Sequence, residues 1–214
     1  MTCSHFHLIL GSSSASRASV LKKLGIPFSI ISPDIDESVL QNETPPAHVE
    51  RLAIAKAQRV VEMLEQQGNL CPCREYWIIG SDQVAFLNGH PVSKPESHEV
   101  AVQQLLESSG KAITFFGGLC LWHLKTGQYQ SLVDTTTTHY RAFTREHIDH
   151  YLACEKPYHC AGSLKSEGLG IALIERIDSK DPNSLIGLPL IDLCELFQKA
   201  GVDLVLQVAN TPNG

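Results

Sequence analysis

The sequence predicts a mixed α/β fold, and three observations lead there. Short apolar runs such as Phe6 to Leu10 and Trp77-Ile78-Ile79 read as buried strands. Between them lie segments whose apolar residues recur at three and four, the period of an amphipathic helix. Near the middle two β-rich runs follow one another directly, at about 113–123 and 128–141, joined by Lys125-Thr126-Gly127. Strands that alternate with helices and also neighbour each other suggest a mixed sheet covered by helices.

The strand Phe6 to Leu10 is broken by Gly11-Ser12-Ser13-Ser14-Ala15-Ser16-Arg17. From Arg17, the spacing of Val20, Leu21 and Leu24 predicts a helix, which Gly25 stops. Phe28 to Ile31 reads as a strand halted by Pro33, followed by Asp34, Asp36 and Glu37. Pro45-Pro46 opens a helix to about Gln67, with Val49, Leu52, Ala53, Lys56, Ala57 and Val60 on one face. The strand Trp77-Ile78-Ile79 is expected to end at Gly80-Ser81-Asp82, and Asn88-Gly89 marks a hairpin. Helices are expected over 97–108, 144–153 and 189–200, with a strand over 171–177. The turn-rich stretch 157–170 is a candidate functional loop.

Composition narrows the function classes. With 214 residues and 43% hydrophobic content the chain suits one domain, spanning 1–214, with a sizeable core. Net charge is −6, a poor match to a long nucleic-acid polymer but compatible with a small phosphorylated ligand if cations converge locally. Seven scattered cysteines, an odd count, argue for reduced thiols rather than a disulfide framework. Cys71-Pro72-Cys73 is the one close pair, and it lacks the two-residue gap usual at zinc. His5, His7, His147 and His150 show no zinc pattern either. The apolar run Leu8-Ile9-Leu10 is too short for a signal peptide or a membrane span, so the expectation is a cytoplasmic protein with no membrane partner.

Four constellations can carry chemistry. Gly11-Ser12-Ser13-Ser14 joins a strand to a helix, where backbone N–H groups and the helix N-terminus favour an anion, and Arg17 could reach a phosphate. Gly-Lys-Ser/Thr is absent, so this is no P-loop, and a plain serine cap is the bland reading. Asp82 after an apolar strand could hold a metal or orient water; a turn aspartate is the alternative. Lys56 sits on an apolar stripe and therefore needs either a partner or a route to solvent, and Lys94 follows the hairpin. Glycines frame Lys165 and Glu167 in Ala161-Gly162-Ser163-Leu164-Lys165-Ser166-Glu167-Gly168, which suits a polar pocket wall or a simple turn. Cations and carboxylates on loops after strands fit a phosphate ester with a divalent metal.

Taken as a set, these segments resemble the Maf-like nucleotide pyrophosphatases. The carrying residues are Leu8-Ile9-Leu10-Gly11-Ser12-Ser13-Ser14 with Arg17, Asp34-Ile35-Asp36-Glu37, Arg51-Leu52-Ala53 with Lys56-Ala57, Gly80-Ser81-Asp82-Gln83-Val84, Ser93-Lys94-Pro95 and Ile186-Gly187-Leu188-Pro189-Leu190. Within the family the chain looks most like the 7-methyl-GTP branch, on Gly80-Ser81-Asp82-Gln83, His159-Cys160-Ala161-Gly162-Ser163, Lys165-Ser166-Glu167-Gly168 and Asp181-Pro182-Asn183. The branch acting on dTTP and UTP typically has Thr where Gln83 stands and Gln where Glu167 stands.

The resemblance implies a Maf/ITPase-like fold, with a mixed twisted sheet and two lobes around a cleft. It implies a divalent cation (Mg, Mn or Co) and hydrolysis of a nucleoside triphosphate to monophosphate and pyrophosphate. Asp82 matches the family's catalytic aspartate, the proton acceptor. Ser12, Arg17, Glu37, Lys56 and Lys94 match its cleft residues, while Ser14 and Lys165 are expected to contact substrate. Asp82 and Glu37 are the expected metal ligands. Ser16, Gln83 and Glu167 match positions linked to base choice. A homodimer is an allowed assembly. The first motif departs from the family: Ala15 stands for a proline, Ala18 for a second arginine, and Ser16 for the Trp usual in the 7-methyl-GTP branch. The alternatives that follow are a dTTP/UTP pyrophosphatase and a non-catalytic nucleotide-binding regulator.

Overall fold

A computed structural model describes residues 6–68 and 70–209. Cys3 and His5 lie outside the described residues. The chain forms two compact units, 1–82 with 117–134 and 187–214, and 83–116 with 135–186. The strand order is β2-β1-β3-β5-β6-β7, with β4 paired to β3.

The first unit begins with β1 (Phe6–Gly11), α1 (Ala15–Lys22) and β2 (Phe28–Ile31). Strand β1 lies parallel to β2 and to the start of β3 (Glu75–Leu87), with Leu10 opposite Ile79 and Gly11 opposite Gly80. Helix α2 (Pro45–Gln67) is capped at Thr44, whose side chain accepts from Ala47 N–H, and closes on a left-handed Gly68. Its apolar stripe packs on Ile9, Tyr76, Ile78 and Cys120. On the other face, Trp77 and Phe6 meet Phe197 of α5 (Leu190–Lys199), at ring distances of 5.4 and 5.8 Å. Alternation along β3 thus sends even positions toward α2 and odd positions toward α5, giving three layers.

Two glycines let α2 lie against the sheet. A Cβ at Gly80 would collide with the carbonyl oxygen of Ala53 and meet Ala57, and one at Gly118 would collide with the carbonyl of Val49. Only a residue without a side chain fits at either place.

The second unit carries the end of β3, the hairpin at Asn88-Gly89, where both φ values are positive, and β4 (His90–Val92). Helices α3 (His98–Ser108) and α4 (Arg145–Glu155), capped by Ser97 and Thr144, pack with Ile113, Phe115, Tyr140 and Leu173 into one core. Strands β5 (Ala112–His123) and β6 (Gln128–Tyr140) run from one unit into the other, and β7 (Ile174–Asp178) pairs antiparallel with β6. A short helix α6 (Leu204–Ala209) follows α5.

Several element boundaries differ from the sequence expectation. The strand expected to end at Gly80-Ser81-Asp82 continues to Leu87, so Asp82 is a mid-strand residue. Its small polar run looks like a turn but is shaped by the helix pressed against it. Helix α1 begins at Ala15, two residues before Arg17, because Ser14 is its cap. The strand expected over 171–177 starts at Ile174, after a 3₁₀ turn over Leu169–Leu173.

Candidate active site

The candidate site centres on Lys56. It lies on the buried stripe of α2 with its side chain only 9% exposed, yet it carries an ammonium. Nζ donates to Asp82 Oδ1 at 2.6 Å and pairs with Glu37 Oε1 at 2.7 Å. Asp82 is nearly buried as well, whereas Glu37 is 59% exposed in the loop after β2. A buried charge needs such partners to persist.

Arg17 completes the cluster from α1. Its Nε donates to the Gly187 carbonyl at 3.0 Å, and Nη1 donates to the Ser81 carbonyl at 2.9 Å and to Ser12 Oγ at 3.4 Å. Two guanidinium nitrogens are thus committed to the protein, more than the free phosphate fork the sequence suggested. Burial pulls the Arg17 pKa down, and the charges of Asp82 and Glu37 act on it in the opposite sense. Ser12, buried, also accepts from Ser14 N–H at 3.1 Å, and Ser14 Oγ caps the helix by accepting from Arg17 N–H. The serine run therefore serves as a cap and also fixes Arg17. Ser16 is half-buried on α1.

A second network holds the loop that bears Glu37. Arg51 grips Glu43 with both ends, Nε to Oε1 at 2.6 Å and Nη2 to Oε2 at 2.8 Å, and Nη2 also donates to the Ser38 carbonyl at 3.0 Å. His48 Nδ1 lies 2.9 Å from Glu43 Oε2, and Leu40 N–H donates to the same oxygen at 3.0 Å. Sequence reasoning missed Glu43 and His48 and had Arg51 only as part of a motif. The available signal was a carboxylate directly before the Thr44 cap, one turn from a basic helix face.

Chiefly the Arg51 guanidinium, with Leu40 N–H and His48, holds the Glu43 carboxyl well below the ordinary carboxylate range. A carboxyl depressed on folding contributes stability above its unfolded pKa of about 4.3 and loses it as pH falls toward the folded value. Replacing Arg51 with Met is therefore expected to lower Tm at pH 7, and the gap from wild type should narrow at about pH 3.5. Thermal unfolding at the two pH values measures this; a gap independent of pH would separate the Arg51 effect from Glu43.

The second unit holds Gln83, Lys94, Lys165 and Glu167. Gln83 Nε2 donates to the Ser184 carbonyl at 2.8 Å. Lys165 Nζ donates to Glu155 Oε2 at 2.6 Å, and its backbone N–H donates to Tyr151 OH at 2.9 Å. Leu169 N–H donates to Glu155 Oε1 at 2.5 Å. Lys94 and Glu167 are exposed. Burial raises the Cys160 pKa, and the charges of Glu167, Lys165, Lys94 and Glu155 all act on that thiol, so these groups share one neighbourhood. The 157–170 stretch is an ordered set of turns tied through Tyr151 and Ser163, whose Oγ donates to Gln104 Oε1 at 2.6 Å. Asp181 is fully buried and accepts from Asn183 N–H at 2.7 Å, which makes Asp181-Pro182-Asn183 a self-capped turn.

Comparison with known proteins adds to this geometry. The family model described as Maf-like protein matches residues 7–200. The chain is 48% identical to a 7-methyl-GTP pyrophosphatase of Nitrosococcus oceani, over 91% of this chain and 93% of that one. It is 43% identical to a 7-methyl-GTP pyrophosphatase of Vibrio vulnificus, over 94% and 98%. Among solved structures, the Staphylococcus aureus Ham1 protein aligns at a TM-score of 0.39 and 16% identity over 63% of this chain and 71% of that one, a likeness too slight to build on.

Proposed function

The chain belongs to the Maf-like protein family, and from that premise we propose that it hydrolyses 7-methyl-GTP, or a related modified nucleotide, to the monophosphate and pyrophosphate. The observation that carries the reading is the buried Lys56 ammonium between Asp82 and Glu37, with Arg17 beside them. Water attacks the α-phosphorus, the α–β anhydride bond breaks, and pyrophosphate leaves. Asp82 accepts the proton from water, its carboxylate oriented by the bond from Lys56 to Oδ1. Lys56, Arg17 and Lys94 supply positive charge against the roughly four negative charges of the triphosphate, despite a net charge of −6. Ser12, Ser14 and Lys165 are the further substrate contacts in this reading.

Asp82 and Glu37 fit a hard divalent cation, since oxygens of both carboxylates lie within 2.7 Å of one nitrogen. Among the described residues no group of three or more His, Cys, Asp or Glu side chains is arranged to hold a metal. Two carboxylates with substrate phosphates are a usual setting for magnesium, so Asp82 and Glu37 would hold such an ion together with substrate. When bound it supplies charge neutralisation and a more acidic water. Chelation is therefore expected to abolish turnover, and adding Mg, Mn or Co to restore it. Full activity in excess chelator would remove the metal from this reading.

Gln83 and Glu167 are the proposed base-reading residues. Glu167 can accept from the N1–H and exocyclic amine of a guanine edge, and its charge suits a methylated, cationic ring. Pyrophosphate release from 7-methyl-GTP, dTTP and UTP is the test, with the first expected to give the highest kcat/KM. Ser16 offers no ring to stack on the base, a contact worth about 1–3 kcal/mol where an aromatic residue provides it. Ser16→Trp should thus sharpen the preference. Faster hydrolysis of dTTP or UTP by the wild type would move the chain to the other branch, and orthophosphate as the first product would overturn the reaction class.

As for setting, no helix among the described residues is long and apolar enough to cross a membrane, and a cytoplasmic, membrane-free role remains part of the proposal.

A further inference from the structure

The turn between α2 and β3 takes no part in the proposed reaction, yet it holds two sulfur atoms in contact. Cys71 Sγ and Cys73 Sγ are 2.8 Å apart across Pro72. The two thiols differ in access: Cys73 is exposed and Cys71 half-buried. Cys71 is also the better anchored. Its N–H donates to Tyr76 OH at 3.1 Å, and its carbonyl accepts from Arg74 N–H at 3.0 Å, closing the turn that leads into β3. An accessible thiol beside a second, fixed thiol is the arrangement of an attacking and a resolving cysteine.

We propose that Cys71 and Cys73 are a redox-active dithiol that closes to an intramolecular disulfide by exchange with a small-molecule disulfide. The Cys73 thiolate attacks one sulfur of the small disulfide, forming a mixed disulfide and releasing one thiolate. The Cys71 thiol gives its proton to solvent and attacks Cys73 Sγ. The Cys71–Cys73 bond forms and the second small thiolate leaves. The two cysteines lose two electrons, and the small disulfide is reduced to two thiols. Pro72 keeps the intervening φ fixed, so the sulfurs stay close without a large loss of chain freedom at the moment of closure.

The other cysteines provide internal comparisons. Cys120 is fully buried between α2 and the sheet, and burial pushes its thiol up to about 12, so it stays unreacted near neutral pH. Cys154 is exposed on α4 and is expected to stop at the mixed disulfide.

The test uses the full chain, reduced, cleared of reductant and incubated with oxidised glutathione, then blocked, digested with trypsin and weighed by mass spectrometry. Cys71 and Cys73 share the peptide 60–74. That peptide should lose two hydrogens and carry no glutathione, and a reductant should reverse the loss. Cys154 should carry one glutathione and Cys120 none. In Cys73→Ser the two-hydrogen loss should vanish, and any adduct should stay on Cys71. Three outcomes would overturn the proposal: stable glutathione on Cys71 or Cys73 of the wild type, an unmodified 60–74 peptide while Cys154 reacts, or a disulfide joining two chains through these residues.

Discussion

Asp82→Asn is expected to lower kcat by at least about 100-fold while leaving the fold intact, the loss typical when a positioned acid–base group is removed. Asn keeps the shape of the side chain and still presents an oxygen to Lys56 Nζ, which now sits 2.6 Å from Oδ1. What it cannot do is accept a proton or attract a cation. Lys56 meanwhile keeps Glu37 at 2.7 Å, so the ammonium is not stranded. The stability change should stay within about 1 kcal/mol, the range of one altered hydrogen bond. Pyrophosphate release and thermal unfolding on the same preparation decide the matter. A variant retaining more than half of wild-type kcat would make Asp82 a structural partner of Lys56 and remove it from the reaction.

Lys56→Met is expected to act on both axes. Turnover should fall by about 100-fold or more in kcat/KM, because a charge aimed at developing phosphate charge is gone. Unlike the aspartate change, this one should also cost stability. Asp82, with its side chain 10% exposed, would lose the ammonium and retain the more distant pull of Arg17 and Arg51. Breaking a buried pair by removing one member leaves an uncompensated charge, here about 2–4 kcal/mol once partial exposure and Arg17 are allowed for. Of the two possibilities open for Lys56 in the sequence, a partner or a route to solvent, its 9% exposure and double pairing select the partner. Thermal unfolding of the two variants side by side should show the larger drop in Tm for Lys56→Met. Equal Tm values would mean that the pair is well solvated and that burial is not what couples the two residues.

The fold was largely legible because its elements repeat at 3.6 or 2. Val49, Leu52, Ala53, Ala57 and Val60 announced α2, and all are buried. Legibility failed where a residue answers to a distant neighbour. Gly80-Ser81-Asp82 looked like a turn, because the helix that excludes a side chain at Gly80 and the lysine that pairs with Asp82 are 23 to 27 positions away in the chain. The same applies to the site. Lys56 could be recognised as needing a partner, since an ammonium on an apolar stripe cannot stand alone. Which carboxylates would meet it depended on tertiary contacts, and the resemblance to a family supplied them where periodicity could not. Glu43 left no periodic signal, because it is a loop residue gripped by a helix, and His48, although buried on α2, is polar and so did not stand out on the apolar stripe. Helix α6, only six residues long, was too short to register.

The close approach at Gly80 bears on what kind of change the site can survive. Charge, rotamer and hydrogen-bonding capacity are properties of individual side chains, and each can be altered one residue at a time. The separation between Lys56 and Asp82 belongs to none of them. It is fixed by two stretches of main chain resting on each other at a point where no side chain intervenes. Adding a single methyl group there would shift the helix as a body and lengthen the 2.6 Å contact, with every ionisable group still present. The acid and the ammonium are thus calibrated by an absence, and an inventory of charged residues would not detect its loss.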